Sequence, residues 1–119
     1  RNSAYERLMK VKELAAYLQS YIIVKGAWTC IVTPEGNYYF NPTGNPGMAT
    51  GGSGDVLTGI LLGLLAQGYE REDACRLGVY VHGLAGNLAA EEKTEIGMTA
   101  NDIVEALPKA WKTLTTKNR

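Results

Sequence analysis

The segment at residues 45–59, NPGMATGGSGDVLTG, constrains the fold most, because it joins a glycine-dense loop to an apolar helix. Five of its fifteen residues are glycine, and Asp55 stands where the glycines give way to the run VLTGILLGLL. Glycines let backbone N–H groups converge on one point, and the first N–H groups of a helix have no partners within that helix. We therefore interpret Gly52, Ser53 and Gly54 as an anion hole at the start of a helix.

Two familiar phosphate-binding patterns do not fit this segment. The pattern G-x-x-x-x-G-K-[ST], started at Gly47, reaches Gly52 correctly but finds Ser53 where the lysine is needed. The dinucleotide pattern G-x-G-x-x-G, started at Gly52, finds Leu57 at its third glycine, and no strand leads directly into the glycines. The segment would therefore hold an anion through backbone groups, without a cationic side chain of its own.

Asp55 is unexpected in such a loop, because a carboxylate repels a bound phosphate. It makes sense as a base, since a hydroxyl that attacks phosphorus must lose its proton to a nearby group. The simpler alternative is that Ser53 and Asp55 only cap the helix, as both residue types favour the first turn. Capping does not explain the fourteen-residue loop at 41–54, which we expect to lack secondary structure, so we favour the functional interpretation.

Hydrophobic periodicity predicts about three early strands and four helices, an α/β arrangement in which residues 1–119 form a single unit. The predicted strands span residues 21–25, 28–33 and 38–40, the last two forming a β-hairpin, and the predicted helices span 5–19, 53–67, 71–92 and 99 onward. The first strand is apolar on both faces and is expected to be buried. Three strands are few for so many apolar helices, so we expect further strands in the same sheet.

Three details of the helices can also be predicted. Glycine costs about 1 kcal/mol against alanine inside a helix, so we expect close packing to compensate at the helical glycines. Thr99 is expected to cap the last helix together with Asp102, and Pro108 to kink or split it. The helical glycines are Gly59, Gly63, Gly78, Gly83 and Gly86.

Composition excludes several classes of function. The twelve basic and twelve acidic residues cancel, so no global field favours nucleic acid or an anionic membrane. Cys30 and Cys75 stand far apart in unrelated contexts, which is neither a disulfide framework nor a zinc-binding spacing. The longest apolar run, at residues 56–66, is too short to cross a bilayer. We therefore expect a cytoplasmic protein with no nucleic-acid or membrane partner.

Several motifs together resemble the C-terminal half of the NAD(P)H-hydrate dehydratases, which belong to the ribokinase-like superfamily. The resemblance runs from about Tyr21 to Pro108 and implies a three-layer α/β/α fold. The motifs are KGAWT at 25–29, NPTGNPGMATGGSGDVLTGIL at 41–61, LLAQG at 64–68, VHGLAG at 81–86 and TANDI at 99–103.

This resemblance implies a repair reaction on NAD(P)H whose nicotinamide ring has been hydrated. A nucleoside di- or triphosphate phosphorylates the added hydroxyl, and phosphate then leaves to restore NAD(P)H. The NPGMATGGSGD form resembles the bacterial members that use ADP, with ATP as the eukaryotic alternative and Mg²⁺ as the expected ion. Asp55 would contact the hydrate and act as the base, and Gly54 would contact the phosphate end of the nucleotide. The implied nucleotide-binding residues are Lys25, Gly26, Ala27, Trp28 and Thr29; no residue is assigned as a metal ligand.

Two other functions stay open. A related ribokinase-like kinase of a small alcohol or vitamin precursor would share the Gly-x-Gly-Asp segment and the base. The family domain is more than twice as long as this chain, so the chain is expected to be a C-terminal fragment, and an inert nucleotide-binding or assembly module is the third hypothesis. A homo-oligomer and a fused epimerase domain are further expectations. His82 is interpreted as a packed, hydrogen-bonded residue rather than a catalyst.

Overall fold

The structure is a computed structural model that describes residues 3–26 and 28–117. It confirms the predicted number of strands and helices. A single 3₁₀ turn, Pro46–Met48, interrupts the glycine loop. The other elements are helix α1 (Ala4–Leu18), strands β1 (Ile22–Val24), β2 (Thr29–Val32) and β3 (Tyr38–Asn41), and helices α2 (Ser53–Ala66), α3 (Arg71–Gly97) and α4 (Ala100–Lys117).

The three strands form one antiparallel sheet in the order β1-β2-β3. Within β2, Cys30 and Val32 pack against α1, whereas Ile31 packs on the opposite face with Leu57 of α2 and Val79 of α3. This alternation follows from the two-residue period of a strand and gives helix, sheet and helix layers, as the resemblance implies. The prediction that the first strand is buried is wrong, because β1 forms an edge of this sheet and is only half-buried.

Helix α1 begins with a capping box, in which Ser3 and Glu6 exchange side-chain and backbone hydrogen bonds of 3.1 Å each. Its apolar face covers the sheet only in part. Leu8, Val11 and Ala15 pack against β2, whereas Tyr5, Leu14 and Leu18, which share their face by helical spacing, are exposed. A narrow three-stranded sheet does not offer enough surface to cover the whole face of α1.

Helices α2, α3 and α4 form the larger part of the core, centred on Val81, Ala85 and Ile103. Gly68, with a φ of 96°, ends α2 directly after residue 67, where the predicted helix stops, since its N–H and that of Tyr69 return to carbonyls of the last turn. No helix in the described part of the chain is long and apolar enough to span a membrane.

Helix α3 is longer than predicted and continues to Gly97, with one bend at Thr94 (φ 67°, ψ 161°). Thr99 and Asp102 exchange the predicted capping hydrogen bonds at the start of α4. Pro108 lies inside α4, but the helix continues through it, so the predicted split does not occur.

The helical glycines divide into two groups. A Cβ atom at Gly78 would lie 2.7 Å from Leu61 of α2, and one at Gly83 would lie 2.7 Å from the carbonyl carbon of Thr43. A Cβ atom at Gly86 would collide with Met48 in the same way. Close packing therefore compensates for the glycines of α3, as predicted. The same prediction is wrong for Gly59 and Gly63 of α2, where an added Cβ meets no described atom within 4 Å.

These two groups predict opposite effects of alanine. Gly83→Ala should destabilise the chain by about 1–3 kcal/mol, because the new methyl group overlaps the backbone at Thr43. Gly63→Ala, the matched control, should stabilise it by about 1 kcal/mol, because it gains helix propensity in open space. Urea unfolding of both variants measures these changes. Equal free energies of unfolding for the two variants would contradict the assigned packing.

Candidate functional site

Strand register brings two of the predicted site segments to one end of the sheet. Thr29 at the start of β2 lies opposite Asn41 at the end of β3, where the glycine loop begins. The turn that joins β1 to β2 therefore flanks the start of the loop. Within this turn Lys25, Gly26 and Trp28 are exposed, while Thr29 is half-buried. The fifth predicted nucleotide-binding residue, Ala27, lies outside the described residues.

The glycine loop is tied to α3 by the side chains of its own polar residues. The amide nitrogen of Asn41 donates to the Thr43 hydroxyl at 2.8 Å, and this hydroxyl donates to the carbonyl of Tyr80 in α3 at 2.9 Å. Because Gly83 has no side chain, the backbone at Thr43 can lie directly against α3. The first part of the loop thus has one fixed position along the helix.

A second set of bonds fixes the loop further along α3. The amide nitrogen of Asn45 donates to the Gly86 carbonyl at 3.1 Å and to the Asn87 side-chain oxygen at 2.9 Å. The Asn45 side-chain oxygen accepts the N–H of Gly47 at 2.9 Å and so caps the 3₁₀ turn. The prediction of a fourteen-residue loop without secondary structure is therefore wrong, because local side-chain to backbone bonds order its centre.

The start of α2 is open to solvent and lacks a side-chain cap. Gly52 is the N-cap residue, with φ 90° and ψ −10°, and no side chain accepts a capping hydrogen bond there. The N–H of Ser53 donates to the Thr50 carbonyl at 3.2 Å, and the Gly52 carbonyl accepts the first N–H of the helical ladder. Within the described residues, the N–H groups of Gly54 and Asp55 have no recorded acceptor.

This arrangement disfavours the capping interpretation. It also changes which residues can form the predicted anion hole. Gly52, Gly54 and Asp55 are exposed, but Ser53 is 2% exposed and its N–H is already bonded. The two free N–H groups and the Asp55 carboxylate therefore belong to one helical turn that faces solvent. At such a helix start, the aligned peptide dipoles favour a bound anion.

His82 of α3 lies behind this turn and is only 5% exposed. Its Nε2 is 3.0 Å from the Ser53 carbonyl oxygen and 3.3 Å from the Ser53 hydroxyl. Burial and the nearby positive charge of Lys25 lower the pKa of His82, while the hydrogen bond to the Ser53 carbonyl acts in the opposite direction. Lys25 of the β1–β2 turn thus acts electrostatically on His82, the residue that contacts the first residue of α2.

The described residues contain another cleft, of about 460 Å³, between α3 and α4. Its lining is acidic, with Glu91, Glu92, Asp102 and Glu105 against the single cation of Lys109. This charge is unfavourable for a phosphorylated nucleotide. No three His, Cys, Asp or Glu side chains in the part of the chain that the structure describes are grouped to hold a metal ion.

A family model described as NAD(P)H-hydrate dehydratase matches residues 2–109. The bifunctional NAD(P)H-hydrate repair enzyme of Thermofilum pendens is 52% identical over 102 residues, which is 86% of this chain and 20% of that protein. Two solved structures are also similar. The ADP/ATP-dependent NAD(P)H-hydrate dehydratase of Bacillus subtilis, co-crystallised with ATP and Mg²⁺, superposes with a TM-score of 0.84 at 38% identity, covering 92% of this chain and 39% of that one.

The second structure, a ribokinase-like superfamily protein of Enterococcus faecalis, has a TM-score of 0.77 at 38% identity and covers 89% of this chain and 36% of that one. The fold is therefore part of a ribokinase-like α/β/α domain. Within that class, the chain belongs to the NAD(P)H-hydrate dehydratase family. It spans about a fifth of the bifunctional relative and about two fifths of the Bacillus subtilis enzyme.

Sequence reasoning identified the open helix start but missed the residues that support it. Residue type alone allows Asn41, Thr43 and Asn45 either to shape the loop or to contact substrate, and in the fold all three side chains bond to the loop or to α3. The contact between His82 and Ser53 joins residues that are 29 positions apart. The signal that could have pointed to it is the run of small residues around His82 on α3, which marks a close neighbour on that face.

Because His82 is the single histidine of the chain, it allows a prediction of how the free energy of unfolding depends on pH near neutrality. Since the pKa of His82 is lowered in the folded state, its contribution to stability is complete above about pH 6.5, the ordinary value, and is lost as the pH falls below it. We expect the free energy of unfolding to decrease there by up to about 1.4 kcal/mol per pH unit. Urea unfolding from pH 7.5 to 5 measures this decrease. The His82→Gln control lacks the titrating group, and an identical pH dependence in both proteins would exclude His82 as its source.

Proposed function

We propose that this chain supplies the catalytic aspartate and part of the nucleotide site of an ADP-dependent NAD(P)H-hydrate dehydratase. The observation that carries the proposal is the first turn of α2, where two free N–H groups and the exposed carboxylate of Asp55 lie together. Membership in the NAD(P)H-hydrate dehydratase family supports hydrated NAD(P)H as the substrate. The ADP/ATP-dependent relative from Bacillus subtilis supports ADP or ATP as the phosphoryl donor. The activity is assigned to the whole polypeptide, because the chain covers only part of its relatives.

In the proposed reaction Asp55 accepts the proton of the hydroxyl that was added to the nicotinamide ring. The hydroxyl oxygen forms a bond to the terminal phosphorus of ADP, and the bond between that phosphorus and the AMP oxygen breaks. The N–H groups of Gly54 and Asp55 stabilise the negative charge of the phosphoryl group during transfer. Phosphate then leaves the ring and the adjacent ring carbon loses a proton, so that the double bond of NAD(P)H is restored.

The β1–β2 turn is the proposed site for the rest of the nucleotide. Trp28 is 65% exposed and offers an aromatic face, and Lys25 of the same turn is exposed. Lys25 would supply the positive charge that the glycine loop lacks.

Mg²⁺ would be held mainly by the phosphates of the nucleotide, an arrangement that does not require a dedicated cluster of protein ligands. Two free cysteines support a reducing compartment such as the cytoplasm.

The activity can be tested directly with the full-length polypeptide that contains this chain. Hydrated NADH is incubated with ADP and Mg²⁺, and recovery of the reduced-nicotinamide absorbance is followed. We expect recovery that depends on both ADP and protein, with AMP and phosphate as the other products. The alternative of a ribokinase-like kinase predicts no recovery, together with phosphorylation of a small alcohol by ATP.

Asp55→Asn tests the role of the carboxylate. The amide retains the shape of the side chain but cannot accept a proton, so turnover should fall by about 100-fold or more. ADP affinity, measured by calorimetry, should change little, because the backbone N–H groups remain.

Asp73→Asn is the matched control for this substitution. Asp73 is an exposed aspartate in the first turn of α3, so its substitution removes the same charge from an equivalent position. It should leave turnover unchanged. A turnover of Asp55→Asn close to that of this control would remove the base from the mechanism.

A specific observation favours a second candidate function, an assembly module that is inactive by itself. Leu62 is 62% exposed and Leu65 is 41% exposed, and both lie on the outward face of α2 next to the uncovered Gly59 and Gly63. Apolar patches of this kind mark contacts with other polypeptide segments. The contact would be made with the remainder of the domain, with a fused epimerase domain or with a second copy. Calorimetry with ADP and AMP on the isolated chain separates the candidates, since an inert fragment would bind neither.

A further inference from the structure

The contact between His82 and Ser53 has a defined direction. A carbonyl oxygen can only accept a hydrogen bond, so the 3.0 Å contact with the Ser53 carbonyl requires that Nε2 carries a hydrogen. The Ser53 hydroxyl at 3.3 Å is then an additional, longer acceptor of the same N–H group. His82 therefore donates to the backbone of α2, and Nε2 is not available as a base.

This donation adds a restraint from α3 to the first turn of α2, where the Gly52 carbonyl already accepts the Val56 N–H at 3.1 Å. Gly52 precedes Ser53, and Gly54 follows it, so the backbone on both sides has the conformational freedom of glycine. Ser53 is anchored by its N–H to the Thr50 carbonyl and by its carbonyl to His82. The next peptide groups carry the free N–H groups of Gly54 and Asp55, and their direction depends on how Ser53 is held.

We propose that His82 is a positioning residue, which holds the Ser53 backbone so that the Gly54 and Asp55 N–H groups and the Asp55 carboxylate face the transferring phosphoryl group. The proposal rests on the function proposed above. Because His82 is only 5% exposed and contacts Ser53, it would act through Ser53. Small displacements of positioned groups have large effects on rate, because the reacting atoms must be aligned within a fraction of an ångström.

The test compares His82→Leu with His82→Gln in the full-length polypeptide. Leucine fills the buried space without a donor, whereas the glutamine amide can donate from nearly the same place as Nε2. We expect His82→Leu to lower kcat by about 10- to 100-fold, with a smaller change in KM, and His82→Gln to recover most of the loss. Val32→Ala is the control for destabilisation, because Val32 is buried on the opposite face of the sheet. It should lower the Tm without lowering kcat.

A second readout does not depend on the proposed reaction. Amide hydrogen exchange of a peptide spanning residues 50–57 should become faster in His82→Leu than in the parent protein, and His82→Gln should restore the slower exchange. The peptide from α4 should not change. If the parent protein has no dehydratase activity, the proposed function fails, and the exchange data still decide whether His82 holds the start of α2. Unchanged exchange, or a His82→Gln variant as impaired as His82→Leu, would overturn the positioning role.

Discussion

The contact between the glycine loop and α3 is the constraint on which the candidate site depends. The Thr43 backbone lies so close to α3 that glycine is the only residue type position 83 can carry without a shift of the loop. At Gly86 a larger residue would instead have to displace the Met48 side chain. Asn45 adds hydrogen bonds to the same helix, and this fixes where the loop crosses it. The start of α2 follows from that crossing, so the geometry of the proposed anion hole is determined by packing against a different helix.

The site has an unusual distribution of charge for a phosphate-binding loop. The start of a helix provides about half a positive charge, which does not balance the full negative charge of the Asp55 carboxylate in the same turn. In the proposed site Lys25 on the β1–β2 turn would supply the missing cation, and its field contributes to the lowered pKa of His82. The positive charge that a P-loop carries inside its glycine segment would then come from another part of the sheet. This separation leaves space beside the N–H groups for a base.

Much of the fold follows from local sequence patterns, and the errors have a common physical origin. The end of α2 at Gly68 and the cap at Thr99 depend on residues a few positions apart, and both predictions are confirmed. The helical glycines have the same local signature in α2 and α3, yet only those of α3 meet a close neighbour. Which face of a helix is covered depends on contacts between distant segments, and no pattern within one helix contains that information.

The start of α2 shows the same limit of local patterns, because only Ser53 in this turn contacts His82. The order Gly-Ser-Gly-Asp suggests that Ser53 lines the anion hole, because three neighbouring N–H groups at a helix start are equivalent in sequence. In the fold they are not equivalent, since Ser53 points toward α3 and uses its N–H, carbonyl and hydroxyl in contacts with protein groups. The N–H groups of Gly54 and Asp55 follow in the same turn, where a helix offers them no acceptor of its own. One turn therefore combines a buried, bonded residue with two exposed residues whose N–H groups are unpaired among the described residues.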